Sequence, residues 1–188
     1  MNFTINKIKV HISFFFPAMI AFFVLRDKIG IIPSLLCGIF FHEICHILVM
    51  LLFGITIRKI NITALGIDIK KNNSFLPLPK ELLLHISAPT LNLIIALIFK
   101  NISNEIFAVN FILAIVNLIP IGNLDGGNAL SALISEYINE EKRNLCKNFA
   151  NIFFGIIFLT IGYFLYKNYA VSPVFLMLII IMMFQNDI

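Results

Sequence analysis

Six apolar runs, each close to the length that a helix needs to cross a lipid bilayer, dominate this sequence of 188 residues. They cover residues 10–26, 31–53, 81–99, 105–135, 148–166 and 171–185. With 60% hydrophobic and only 13% charged residues, the sequence leaves no stretch for a large soluble domain. It therefore predicts an all-α polytopic membrane protein with about six transmembrane helices, forming one membrane-embedded domain over residues 1–188.

The basic residues are distributed unevenly along this predicted bundle. If both chain ends share one side of the membrane, ten of the 14 lysines and arginines lie on that side and four on the other. Because positively charged loops are retained in the cytoplasm, both termini are predicted to be cytoplasmic. We expect the basic side to contact anionic headgroups of the lipid bilayer or, equally, an acidic client protein, and this distribution argues against nucleic acid as a partner.

The connection between the second and third apolar runs has the pattern of a short β-hairpin. Residues 55–63 alternate apolar with polar side chains, and residues 66–70 resume the alternation after a glycine. The open edge of such a hairpin could accept an extended peptide by strand addition. A plain amphipathic connector at the membrane interface explains the pattern equally well.

The motif His42-Glu43-Ile44-Cys45-His46 lies in the middle of the second apolar run. On a helix, this spacing puts two imidazoles on one face to hold Zn²⁺, with the glutamate beside them as general base. Polar groups inside a bilayer cost a few kcal/mol each unless they line an enclosed site. The motif therefore predicts a metalloprotease that works within the membrane, with Glu43 catalytic. Simple interhelical hydrogen bonds from the histidines would leave Glu43 unexplained.

The fourth apolar run contains a cluster of helix breakers over residues 117–127, including Pro120 and two adjacent glycines. The pattern predicts that the helix is broken there, and broken backbone at membrane depth survives only where protein or water covers it. Asp125 lies in this break. Because catalytic zinc takes three protein ligands, Asp125 is a candidate third metal ligand beside His42 and His46. An alternative role for Asp125 is to cap the N-terminus of a new helix.

Three elements, in their order along the chain, resemble the site-2 protease family of intramembrane zinc metalloproteases. They are His42-Glu43-Ile44-Cys45-His46, Ser87-Ala88-Pro89-Thr90-Leu91-Asn92, and Asn117-Leu118-Ile119-Pro120 followed by Leu124-Asp125-Gly126-Gly127. The resemblance implies hydrolysis of a peptide bond in a membrane-associated protein, with Zn²⁺ on His42, His46 and Asp125. It also makes Asn117 a candidate for orienting the substrate or binding the oxyanion. An interhelical hydrogen bond is an alternative role for Asn117.

The six-helix plan and the start Lys7-Ile8-Lys9-Val10-His11 resemble the stage IV sporulation branch of that family. This narrower resemblance implies a pro-sigma factor as substrate, inhibitory membrane proteins as partners, and residence in the bacterial cell membrane or the membrane around the forespore. The relatives continue into a nucleotide-sensing CBS domain, whereas this sequence ends at Ile188. We therefore expect no such domain here.

Two other classes of function are compatible with the same residues. A membrane metal permease would use the histidines and Asp125 as a transit site, with His85 and Asp68 as further ligands. Permeases usually repeat polar ligands along a pathway, and this sequence offers few. A non-catalytic membrane scaffold would bind client proteins without cutting them, and would have no use for Glu43.

Overall fold

The fold is taken from a computed structural model, in which residues 2–5, 8–27, 30–63, 66–72, 76–122 and 124–169 are described. Within these ranges the elements, in chain order, are β1 (Asn2–Ile5), β2 (Ile8–Ile12), α1 (Phe15–Arg26), α2 (Ile31–Leu52), β3 (Ile57–Thr63), β4 (Gly66–Lys71), α3 (Leu78–Phe99), α4 (Asn104–Leu118), α5 (Asp125–Ser135) and α6 (Glu140–Tyr169). The chain forms two compact units, which divide between Ile115 and Val116.

Three of the described helices are long and apolar enough to cross a membrane. They are Ile31–Leu52, Leu78–Phe99 and the part of α6 from Glu140 to Phe164. The helices Phe15–Leu25 and Asn104–Leu118 are apolar but shorter. These helices indicate an integral membrane protein, although the described residues confirm only three spans of full length, not six. The last predicted run, residues 171–185, lies outside the described residues.

In the first unit, α2 packs against α3, and the buried face of α2 carries a glycine and two histidines beside one methionine. The buried residues of α2 are Gly38, His42, His46 and Met50, which recur every four residues and therefore lie on one side of the helix. Five large apolar side chains of α2 are exposed, as lipid contact requires: Phe40, Phe41, Leu48, Leu51 and Leu52. Polar residues of α2 thus face the protein interior while these apolar residues face outward, which places the predicted ligands His42 and His46 in the interior.

A four-stranded sheet adjoins these helices, with the strand order β1-β2-β3-β4. The predicted hairpin is confirmed, because β3 and β4 pair in antiparallel fashion. β1 and β2 extend the sheet, and β2 runs parallel to β3. The pairing aligns Val10, Ile60 and Ile69 across one face, and Lys9, Lys59 and Lys70 across the other. At its apolar side, Ile69 packs against a core that contains Met50 and Leu84.

The two N-terminal strands correct the expectation of an all-α protein whose first helix begins at residue 10. Ile8-Lys9-Val10-His11-Ile12 alternates β-branched with polar residues and forms β2, and the first helix begins at Phe15. The apolar run concealed this alternation because the strand continues directly into the helix. The fold is mainly helical, with a small mixed sheet.

In the second unit, the predicted helix break is confirmed: α4 ends at Leu118 and α5 begins at Asp125. The intervening chain folds back against the first turn of α5. A Cβ atom at Gly126 would lie 2.2 Å from the carbonyl oxygen of Leu118, and one at Gly127 would lie 2.6 Å from that of Gly122. Gly122 has a φ of 49° and donates its N–H to Oδ1 of Asn151 at 2.7 Å. The glycines therefore permit contact between backbones that holds the start of α5 in position.

We expect Gly126→Ala to destabilise the protein by about 1–3 kcal/mol, because the added methyl group would meet backbone atoms that cannot rotate away. Gly38→Ala is the matched control. Its nearest neighbour is the mobile Cδ1 atom of Leu113, at 2.8 Å, so a smaller loss is expected. Thermal unfolding of both variants in detergent would measure the difference. Equal stability of the two variants would contradict the close backbone approach at Gly126.

Candidate metal centre

Helix α2 presents two imidazole rings on its buried face, one turn apart. His42 and His46 are 6% and 8% exposed. Their ring centroids are 5.0 Å apart with an interplanar angle of 82°, and a ligand nitrogen of each ring lies within 4.8 Å of one on the other. A single cation could therefore contact both rings.

His46 is oriented by the backbone of α3. Its Nδ1 atom lies 3.0 Å from the carbonyl oxygen of Leu84, which also accepts a hydrogen bond from Oγ of Ser87 at 2.9 Å. A carbonyl oxygen can only accept, so Nδ1 of a neutral His46 carries the proton and Nε2 carries the lone pair. Metal-binding histidines typically donate the N–H of their other ring nitrogen to an oxygen atom in this way.

His42 is oriented by a side chain of α3. Its Nδ1 atom lies 2.7 Å from Oδ1 of Asn92, whose side chain is fully buried. Asn92 in turn donates from Nδ2 to the carbonyl of Gly38 at 3.3 Å and to Oδ1 of Asn110 at 2.8 Å. Each histidine of the motif is thus held through Nδ1 by an oxygen atom from α3.

Asn92 and Asn110 are the residues that the sequence reasoning missed at this centre. Asn92 belongs to a family-like element that by itself assigns it no role, and Asn110 lies outside all three elements. The available signal was their location: both amides lie within apolar helices, where a polar side chain is costly unless it has a partner.

Glu43 follows His42 on α2 and is half-buried, about 100° around the helix from the histidine face. Cys45 is also half-buried and is a free thiol. Glu43 therefore lies at the border of the buried face rather than at its centre.

The two other predicted site residues belong to the second unit. Asp125 is buried and is the first residue of α5, with Leu124 in the extended conformation at the N-cap position. The alternative N-cap role for Asp125 is thus not supported, because the cap lies one residue earlier. As an acid in the first turn, Asp125 interacts favourably with the helix dipole. Asn117 lies in the last turn of α4 and is half-buried.

The donor set fits a zinc ion in chemistry. His42, His46 and Asp125 are all buried, and each offers one ligand atom. Two imidazole nitrogens and a carboxylate oxygen are ligands that catalytic Zn²⁺ takes in proteins. The Nδ1 hydrogen bonds of both rings direct their Nε2 lone pairs away from α3.

Residues 79–162 match the sequence model of peptidase family M50. The matched segment contains Asn92, Asn117 and Asp125, and begins after the motif that carries His42 and His46. Among solved structures, the chain is similar to the site-2 protease from Methanocaldococcus jannaschii, with 21% sequence identity and a TM-score of 0.70. That similarity covers 98% of this chain and 91% of the other. The two chains thus share a fold. The sequence matches no curated protein.

Proposed function

We propose that this chain is an intramembrane zinc metalloprotease, formed by residues 1–188 as one membrane-embedded domain. The observation that carries the proposal is a pair of buried histidines on an apolar helix, each held through Nδ1 by an oxygen atom of α3. The match of residues 79–162 to peptidase family M50 and the shared fold with a site-2 protease support the same activity.

His42, His46 and Asp125 are the proposed Zn²⁺ ligands. A carboxylate buried in apolar surroundings costs several kcal/mol unless a cation or hydrogen bonds compensate it. A metal shared with the imidazoles would take the Asp125 carboxylate as its third protein ligand, which is the number that catalytic zinc sites have. The proposal therefore requires Asp125 to meet His42 and His46 at one cation.

Glu43 is the proposed general base. Zn²⁺ bound there would act as a Lewis acid, making water more acidic and polarising the peptide carbonyl. Glu43 takes a proton from the attacking water and passes it to the leaving amine. Its position beside His42, at the border of the buried face, is consistent with a carboxylate that must reach both water and substrate.

Asn117 is the proposed substrate-orienting group. Its amide can donate a hydrogen bond to the substrate backbone or to the oxyanion that develops on the scissile carbonyl. Asn117 is half-buried in the last turn of α4, eight residues before α5 begins at Asp125, so this amide lies next to irregular backbone rather than at a packed helix centre.

The substrate is proposed to be a membrane-associated protein. An intact helix keeps each peptide carbonyl in an i to i+4 hydrogen bond, so a substrate helix must unwind before hydrolysis. We expect helix-destabilising residues near the cleaved bond. Inhibitory membrane proteins are proposed as further partners.

Both chain termini are proposed to be cytoplasmic. β2 precedes α1, β3 follows α2, and the two strands pair with Lys9 opposite Lys59. The concentration of basic residues on this side supports a cytoplasmic location under the positive-inside rule.

More narrowly, we propose a role in sporulation, with a pro-sigma factor as substrate at the bacterial cell membrane or the membrane around the forespore. The support is the resemblance of the compact chain and of its N-terminal segment to the stage IV sporulation branch. Expression of the gene during spore formation, and accumulation of uncut pro-sigma factor on its deletion, are the expected observations.

Metal analysis of the purified protein tests the ligand set. We expect about one Zn²⁺ per chain for the wild type, and loss of that zinc in His46→Ala and Asp125→Asn, because removal of one of three ligands leaves an incomplete site. His85→Ala and Glu136→Gln are the matched controls and should retain zinc. Full zinc content in Asp125→Asn would rule out Asp125 as a ligand.

A cleavage assay tests the reaction. The substrate would be a single-span membrane protein that carries Asn and Gly near one end of its span and an epitope tag on each side. We expect the wild type and Glu105→Gln to cut it, and Glu43→Gln to lose activity by at least about a hundredfold, as expected for loss of a general base. Zinc should remain bound in Glu43→Gln. Zinc binding without any cleavage by the wild type would favour a permease or scaffold instead.

A further inference from the structure

A chain of buried amide groups connects helix α4 to the first histidine of the motif. It runs from the backbone carbonyl of Ile106 to Asn110, then to Asn92, and ends at Nδ1 of His42. Asn92 and Asn110 are 0% and 2% exposed, so water does not compete for these hydrogen bonds. All four residues belong to the first unit.

The direction of the chain is set at its far end. Nδ2 of Asn110 lies 2.9 Å from the carbonyl oxygen of Ile106. That oxygen can only accept, so the NH₂ end of the Asn110 amide must face it. The Oδ1 atom of Asn110 is therefore the end that faces α3.

The orientation of the Asn110 amide in turn fixes the orientation of the Asn92 amide. Oδ1 of Asn110 accepts a hydrogen bond from Nδ2 of Asn92 at 2.8 Å, and the carbonyl of Gly38 accepts a second one from Nδ2 at 3.3 Å. If the Asn92 amide were reversed, its oxygen would face these two acceptors at once. Two oxygens thus hold the NH₂ end of Asn92 and direct Oδ1 toward His42.

His42 therefore meets an acceptor at Nδ1, and a neutral His42 must carry its proton there. The opposite tautomer would bring two lone pairs together at the 2.7 Å contact with Asn92. With the proton on Nδ1, the lone pair of His42 is on Nε2, the nitrogen that a metal would use.

We propose that Asn92 and Asn110 are positioning residues that fix the tautomer of His42, with the polarity set by the Ile106 carbonyl. The Leu84 carbonyl fixes the same tautomer in His46 directly, without an intervening side chain. The value of the fixed tautomer for metal binding rests on the proposed function. The tautomer itself does not, because the hydrogen bonds exist in the protein without a metal.

NMR of metal-free protein with isotope-labelled histidine nitrogens tests the proposal, because protonated and unprotonated ring nitrogens have well-separated shifts. The chain has four histidines, and the His42 signals are assigned by their absence in His42→Gln. We expect one tautomer, protonated at Nδ1, in the wild type and in Thr90→Val. Thr90→Val is the control because it removes a hydrogen bond to the Ile86 carbonyl on the same helix.

Asn92→Leu should produce a mixture of His42 tautomers, and Asn110→Leu a smaller admixture because Gly38 still holds Asn92. Asn110→Asp should restore the single tautomer, because a buried, protonated carboxyl can donate to Ile106 and accept from Asn92. This pair at position 110 keeps the test decisive if Asn92→Leu fails to fold. An unchanged His42 tautomer in folded Asn92→Leu or Asn110→Leu overturns the proposal, as does a mixture in Asn110→Asp equal to that in Asn110→Leu.

Zinc affinity, measured by competition with a chelator, gives the second readout. Removal of the group that hydrogen-bonds to a metal-binding histidine typically lowers metal affinity about 10–100-fold. We expect such a decrease in zinc affinity for Asn92→Leu but not for Thr90→Val. If the wild type binds zinc and Asn92→Leu binds it with the same affinity, the positioning role of Asn92 is contradicted, whereas the proposed protease is not. If the wild type shows the single His42 tautomer but neither binds zinc nor cleaves the substrate, the proposed protease is contradicted, whereas the positioning role of Asn92 and Asn110 is not.

Discussion

Two imidazoles can be buried between apolar helices of this protein because α3 offers an oxygen atom to each of them. The Leu84 carbonyl holds His46, and the Asn92 amide holds His42. These hydrogen bonds offset part of the cost of placing two polar rings in a dry interior. Gly38 accepts a hydrogen bond from Asn92 at its carbonyl and lets α4 approach closely, since a Cβ atom there would lie 2.8 Å from Cδ1 of Leu113.

The same principle recurs in the second unit, where the backbone rather than a ring has to be satisfied. Chain that leaves a helix exposes N–H and carbonyl groups, and inside a membrane protein these groups must find partners in the protein. Between α4 and α5 they do so at short range, through turns and through the Asn151 amide that accepts from Gly122. Gly126 and Gly127 permit this compact arrangement because neither has a side chain to intrude.

Local patterns in the sequence were sufficient for the motif helix, the β3–β4 hairpin and the break before Asp125. Each is encoded within a short stretch of sequence: the spacing of His42 and His46, the alternation of residues 55–63 and 66–70, and the helix breakers of residues 117–127. The N-terminal strands were missed because β2 ends three residues before α1 begins, and an average over the run hides so short an alternation. Asn110 was missed because its partner, Asn92, is 18 residues away and is brought near only by helix packing.

The parallel pairing of β2 with β3 has a consequence for the surrounding lipid. The connection between these strands consists of α1 and α2, so the chain must leave the level of the sheet and return to it. α2 has 22 residues, whereas α1 has only 12, which correspond to about 18 Å of helix against a hydrocarbon thickness of about 30 Å. Where so short a helix crosses a bilayer, the mismatch is met by local thinning of the bilayer, by flanking side chains that reach the interface, or by oligomerisation. A membrane-spanning α1 would therefore favour a thinner bilayer beside it than the full-length α2 does.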